Sequence, residues 1–401
     1  MSLFKGEDCF ANWHKDKWRR REKTEMKKLI AVLLALILVS GMTGCQNVST
    51  DNNKTIYIPV LGDAEWLHDD GAFYSGVQLA VEDCAKEYSS LGYNIKTSII
   101  DDKASYDDGV AMAVKLGDDP QVTAVLNVQN FDVSKTTADI LSSRNKVVLL
   151  PYGAYDELCT KNYKNVFCNI PSFADIGKAM ALYAVKMGYR RIAVYHNGTS
   201  SQEELITAFE LNLKNTKSKI IDYVPDISSQ SNFDNIYKRW EALSFDSVII
   251  AQYGLERAYE VLGLIRGRDS KIPIIGEPIF NRANYLSTHK KDAENIVVPS
   301  TLIINSGDKL NKFMKHYKEK YGKEADIWSV QGYDSVRLIV DTAVKNGTVS
   351  SEKIAKALHG EKGYEGIQGK ISFDSGGALK VDAKKINMLI CKNGSFTKVK
   401  K

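Results

Sequence analysis

The chain has 401 residues, 44% hydrophobic and 26% charged, with 28 Gly and only 8 Pro, which excludes a disordered or fibrous protein and leaves room for two globular domains. The formal net charge is +5, but residues 1–45 carry nine of the Lys and Arg side chains and five of the Asp and Glu, so the remainder is close to neutral. That balance gives no electrostatic case for a nucleic acid or an acidic partner surface.

In chain order, residues 1–25 are charged and aperiodic and precede a more natural start at Met26. They are read as an extension outside the mature protein, with Arg19, Arg20 and Arg21 as a basic flank. Residues 29–42, LIAVLLALILVSGM, form an apolar run of 14 behind Lys27 and Lys28. A membrane-spanning helix needs about 20 apolar residues, whereas the core of an export signal needs about 7 to 15. The length therefore predicts a signal peptide. The run ends in MTGC, which resembles a bacterial lipobox, so Cys45 is expected to be lipidated and to become the mature N-terminus, anchoring the protein to the membrane. Residues 46–53, QNVSTDNN, read as a polar tether, and residues 54–401 as the folded domain.

From Thr55 onward, short β-rich runs alternate with segments of helical period. TIYIPVL (55–61) predicts a strand; after a ten-residue loop comes a helix on which Phe73, Val77, Ala80, Val81, Cys84 and Tyr88 share one face. Strands at 122–127, 146–150 and 191–195 precede helices near 133–142, 174–187 and 202–214. Strands at 247–251 and 271–275 flank a helix at 255–267. This order predicts an α/β fold of βαβ units with parallel sheets. The runs VVLL and VIIA lack polar alternation, so helices should cover both sheet faces. So many strands favour two Rossmann-like lobes over one sheet. Ligands in such folds bind beyond the carboxyl ends of the strands. That rule nominates the loops 62–71, 128–132, 151–155, 196–201, 252–256 and 276–280.

GxSxG, HExxH, P-loop and GxGxxG patterns are absent, and the six His show no ligand spacing, so neither an enzyme nor a metal or cofactor site is expected. Cys84, Cys159, Cys168 and Cys391 have no CxxC spacing; Cys159 and Cys168 are close enough to pair in an oxidising compartment, or to stand as buried thiols.

The segment IYIPVLGDAEWLHDDGAFYSGVQLAVED resembles the opening strand, loop and helix of branched-chain amino-acid-binding proteins. NVFCNIPSFADIGKAMALYAVKMGYRRIAVYHN is similar to that family's first crossing and the start of its second lobe, and QGYDSVRLIVDTA and GKISFDSGGAL to its late helix and last crossing. The resemblance spans about residues 55–395. It implies the type I periplasmic-binding fold, two lobes joined by three hinge crossings near 171, 299 and 369. Lobe 1 would hold about 54–171 and 300–368, lobe 2 about 172–299 and 369–401. It also implies capture of a small polar or amino-acid-like solute for an ABC permease; a ligand-sensing accessory domain for a membrane receptor is the alternative, and an exported hydrolase a more distant one.

Site positions carry over unevenly. Where relatives place hydroxyl residues for a ligand carboxylate, this chain has Gln129, Asn130, Phe131 and Asp132, and in the next loop Gly153 and Ala154 offer only backbone groups. Asp132 is also a candidate cap for a helix beginning at Val133. Ser201 stands at a position that is often aromatic. Tyr253 and Glu277 match, as an aromatic wall and as an acid that holds a ligand ammonium. Trp66 and Tyr155 are expected as stacking walls.

Overall fold

The computed structural model describes residues 54–400 except 70–71, 226–229, 253 and 303–306. The predicted export signal, Cys45 and the tether lie outside the described residues.

The first sheet runs β4-β2-β5-β6-β7, with β2 at Val60–Gly62, β4 at Ile99–Asp101, β5 at Ala124–Asn127, β6 at Val147–Leu150 and β7 at Val166–Cys168, all parallel. The strand expected over 55–61 is divided, because Pro59 has no N–H to give the ladder. Its first half, β1 (Lys54–Tyr57), pairs with β3 (Tyr93–Lys96), and the ladder bridges the break through Ile58 N–H to Lys96 O and Val60 N–H to Ser98 O. The loop expected at 62–71 contains a short helix, Ala64–Asp69, because Asp63 Oδ1 accepts the Glu65 N–H and fixes its first turn.

The second sheet runs β9-β8-β10-β11-β12-β15-β16. β8 (Arg191–His196), β9 (Lys219–Val224), β10 (Ser247–Ala251), β11 (Ile274–Gly276) and β12 (Val297–Pro299) are parallel. A C-terminal hairpin, β15 (Met388–Lys392) and β16 (Ser395–Lys398), adds an antiparallel edge. Between β12 and β15 in sequence, β13 (Tyr364–Glu365) and β14 (Lys370–Ile371) form a small hairpin.

Both sheets are covered on two faces, as their unbroken apolar runs require. In β6, Val147 and Leu149 pack with helices Ala72–Tyr88 and Ile327–Lys345, while Val148 and Leu150 pack with helices Tyr106–Asp118 and Phe131–Ser143. In β10, Val248 and Ile250 face the helix Leu255–Arg268, while Ile249 and Ala251 face Phe173–Met187 and Ser200–Leu213.

The chain passes between the sheets after β7, after β12 and again near the end. Residues 370–379, expected with the second lobe, belong to the first: Ile371, Phe373 and Leu379 are buried in its core, and Cys168 N–H donates to Gly377 O at 2.9 Å. The third crossing comes near Val381, which touches the cores of both lobes, ten or so residues later than the expected 369. Its cause is the turn built by Asp374, whose Oδ1 accepts the N–H of Gly376 and of Ala378 and folds the chain back along β7 before it departs.

Glycines set the closest helix approach in each lobe. A Cβ on Gly76 would lie 2.0 Å from Ser329 O, one on Gly332 2.2 Å from Phe73 O, and one on Gly177 2.0 Å from Leu205 O. These contacts let helix Ile327–Lys345 lie backbone-close against Ala72–Tyr88, and Phe173–Met187 against Ser200–Leu213. Gly332→Val is therefore expected to destabilise the protein by about 2 kcal/mol or more through overpacking. Gly267→Ala, at a helical position with open space around it, should be neutral or slightly stabilising. Denaturant unfolding of both variants checks the pair.

Candidate functional site

The carboxyl ends of strands from both sheets converge on one cavity of about 60 Å³. From the first lobe, the loop after β6 supplies Tyr152, Gly153, Ala154 and Tyr155, and the first turn of helix Ile327–Lys345 supplies Trp328. From the second lobe come Ser201 and Gln202 after β8, Gln252 after β10, Glu277 after β11 and Thr301 after β12. Phe173 stands at the first crossing.

Among the described residues lining the cavity, Glu277 is the only carboxylic acid, and it is buried. Its position follows from β11: a Cβ on Gly276 would sit 2.5 Å from the Phe280 ring, so only glycine lets the chain turn there with Phe280 tucked beneath. Gln202 Nε2 donates to Glu277 Oε1 at 2.9 Å, and the Gln252 N–H also donates to the carboxylate. Gln202 is oriented in turn by the hydroxyls of Ser201, at 2.7 Å, and Thr199, both donating to its Oε1. Burial outweighs these donors and pushes the Glu277 carboxyl up to about 8.

The opposite wall is aromatic. Tyr152 lies 4.9 Å from Trp328 and 5.1 Å from Trp66, and Tyr155 lies between Phe131 at 4.2 Å and Phe173 at 5.1 Å. Trp328 is held in place by a capping box: Asp326 Oδ1 accepts the N–H of Trp328 and Ser329, and Ser329 Oγ accepts the Asp326 N–H. Asp326 Oδ2 also meets Arg282 Nε at 3.1 Å, a buried ion pair that links the two lobes. Two buried polar atoms of the wall, Thr301 Oγ1 and Trp328 Nε1, have no hydrogen-bond partner among the described residues.

Of the residues expected from sequence, Gly153, Ala154, Tyr155, Ser201 and Glu277 line the cavity together. Trp66 stands one ring away, against Tyr152, in an outer groove of about 780 Å³ that shares Tyr152, Ile279 and Trp328 with the inner space. Tyr253 and the side chain of Cys159 lie outside the described residues; Cys168 is buried. The loop 128–132 does not line the cavity. Gln129 is locked in its own lobe, donating to Asp102 Oδ2 at 2.8 Å and accepting from Thr137 Oγ1 at 2.8 Å. Asn130 and Asp132 are exposed, and the helix begins at Phe131 with Asn130 at its cap position, so Asp132 is not the cap. Sequence reading missed Tyr152, Phe173, Gln202, Gln252, Thr301 and Trp328. Tyr152 and Gln252 fall inside nominated loops; Trp328 and Thr301 carried no signal beyond following the second crossing.

Residues 69–381 match the profile of a family described as periplasmic binding protein. The chain belongs to that family. It is a solute-binding protein of the type I periplasmic fold. Similar solved structures include an ABC transporter substrate-binding protein from Desulfitobacterium hafniense in complex with Leu, at 24% identity and TM-score 0.76, covering 86% of this chain and 100% of that one. A branched-chain amino acid transporter substrate-binding protein from Streptococcus pneumoniae, in complex with isoleucine, has 19% identity and TM-score 0.71 over 86% and 100% of the two chains. A solute-binding protein from R. palustris in complex with benzoate has 15% identity and TM-score 0.72 over 86% and 95%. No curated protein matches the sequence. Among the described residues, no helix is long and apolar enough to cross a membrane and no cluster is placed to hold a metal ion.

The Glu277 carboxyl sits above the ordinary glutamate value of 4.5, so its protonated form favours the fold. That contribution is full below about pH 4.5 and is lost as pH rises through about 8. Glu277→Gln keeps the acceptor for Gln202 and has no proton to lose. Its melting temperature should therefore gain on the wild type between pH 5 and pH 9, as followed by thermal unfolding at each pH.

Proposed function

We propose that this protein is an exported, lipid-anchored receptor that captures a small polar or amino-acid-like solute between its lobes and delivers it to an ABC permease at the extracytoplasmic face of a bacterial membrane. The observation that carries this reading is the meeting of strand carboxyl ends from two independent sheets on one cavity. One wall is a buried carboxyl with amide partners, supplied by the second lobe, and the other is aromatic, supplied mainly by the first. A solute held from both sides stabilises the closed arrangement, which is what a hinged trap requires. The residues assigned to the ligand are Gly153, Ala154, Tyr155, Ser201, Tyr253 and Glu277, with Trp66 at the mouth and Gln202, Gln252, Thr301 and Trp328 added; Gln129, Asn130 and Asp132 are not among them.

Fold supplies no chemistry by itself, and the assignment of a binding rather than a catalytic role rests on the site. A carboxyl with two amide-type donors binds and orients; no nucleophile–base pair stands beside it among the described residues. The MTGC segment supports anchoring through Cys45.

A thermal-shift screen of small solutes tests the reading, since a ligand at 100 times its dissociation constant stabilises the fold by about 2.7 kcal/mol. Tyr253→Ala is expected to weaken a hit by roughly tenfold, the loss of one aromatic contact, with the ligand-free melting temperature unchanged. Equal affinity in the variant removes Tyr253 from the site. In cells, Cys45→Ser should abolish incorporation of labelled fatty acid and release the protein from the membrane fraction.

A further inference from the structure

We infer that the solute is a compact organic amine that enters as a monocation and carries no carboxylate. This narrows the solute-binding reading above and rests on it.

The charge of the site is one-sided. Among the described residues lining the cavity there is no Lys, Arg or His, and Glu277 is its one ionisable acid. The Arg282 guanidinium lies 5.8 Å from the Trp328 ring, and it is paired with buried Asp326. A buried carboxylate with no cation beside it is strongly disfavoured, and burial accordingly pushes Glu277 up to about 8. A ligand ammonium placed against Glu277 Oε1 supplies the missing charge. The rings of Tyr152, Tyr155, Phe173 and Trp328 receive the rest of a cation on their faces.

Two helix-start N–H groups beside the cavity are already taken by a carboxylate of the protein's own, which leaves the neutral Thr301 hydroxyl and Trp328 N–H as unpartnered donors on the wall. Backbone N–H groups at helix starts are the ordinary anion donors where basic side chains are lacking. Here the helix starts that follow cavity-lining Tyr155 and Phe173 both point at Glu204: the Asp156 N–H donates to its Oε1 and Oε2 at 3.2 and 3.3 Å, and the Ala174 N–H to its Oε1 at 3.2 Å. Glu204 thus stands in for an anionic ligand group. It is also crowded by Asp156 and Asp175, which, with burial, raise it to about 7. A second carboxylate brought to this side would meet three acids. On the remaining loop, Gln129 is committed to Asp102 and Thr137, and Asn130 and Asp132 face solvent.

Size sets the scale of the ligand. At about 60 Å³ the cavity is smaller than the roughly 150 Å³ that holds a benzene ring, so without further opening it takes a compact ligand.

The test compares matched sets on the purified wild-type protein by thermal shift and calorimetry at pH 7: isobutylamine, valine and 3-methylbutanoate; isoamylamine, leucine and 4-methylpentanoate; phenethylamine, phenylalanine and 3-phenylpropanoate. In at least one set the amine is expected to bind at least tenfold more tightly than its amino acid, with no binding by the acid. Glu277→Gln, which keeps the Gln202 contact, should remove at least nine-tenths of that affinity. Tighter binding of an amino acid or an acid than of its amine overturns the inference while leaving the solute-binding reading intact. Amine binding that Glu277→Gln leaves unchanged overturns it as well. Binding by none of the nine overturns it too, and removes the support for a small amino-acid-like solute.

Discussion

A carboxyl group buried without a counter-ion is the constraint around which the cleft is arranged. Glu277 is removed from water, and left alone it would oppose the fold. It is tolerated because amide groups from two neighbouring loops reach it, the Gln202 side chain and the Gln252 backbone. Gln202 presents its NH2 only because Ser201 and Thr199 donate to its oxygen, which fixes the amide orientation. Three strand ends of the second sheet are thereby tied to one acid, and any shift of one loop relative to another is felt there. The same arrangement leaves the acid poised to respond to a cation, since amides stabilise an ionised carboxyl less than a paired ammonium does.

The aromatic wall depends on a different constraint, the close approach of two helices. Gly76 and Gly332 let the backbone of one helix touch that of another, which brings the start of helix Ile327–Lys345 to the cleft with Trp328 in its first turn. Asp326 caps that start and pairs with Arg282 of the other lobe. One carboxylate therefore orients a cavity residue and joins the lobes. A buried ion pair gives little net stability once desolvation is counted, but breaking it by opening the cleft returns both charges to water. The pair therefore discriminates between arrangements more than it holds either one.

Much of this was readable from the sequence because it rests on local period. Val147–Leu150 and Ser247–Ala251 are apolar without alternation, and both are central strands covered on two sides. The helix boundaries fell within about two residues of the periodic segments, and the rule of strand carboxyl ends located Gly153, Ala154, Tyr155, Ser201 and Glu277 on one cavity. What escaped depends on partners far away in the chain. Gln129 sits in a nominated loop, yet it is held by Asp102, 27 residues earlier, and by Thr137. The third crossing was placed too early because the Cys168–Gly377 backbone bond joins segments more than 200 residues apart. Trp328 reads as an ordinary buried aromatic of a long helix; only the glycine contacts between helices reveal that its end of that helix faces the other lobe.

The position of Glu204 ties these features into a single electrostatic argument. Its carboxylate belongs to the second lobe, while the Asp156 N–H it accepts belongs to the first. Closing the lobes places this acid on a helix start of the opposite lobe, and the interaction is favourable only while the acid is ionised. Burial works against ionisation at Glu204 and at Glu277 alike. Both acids lie on the second lobe near Gln202, Glu204 two residues along the chain and Glu277 bonded to it, and burial raises both carboxyls. The Asp156 N–H offsets part of that rise at Glu204, and a cation would do the same at Glu277. Glu204 is thus committed to the contact between the lobes, and Glu277 is the acid left to meet a ligand.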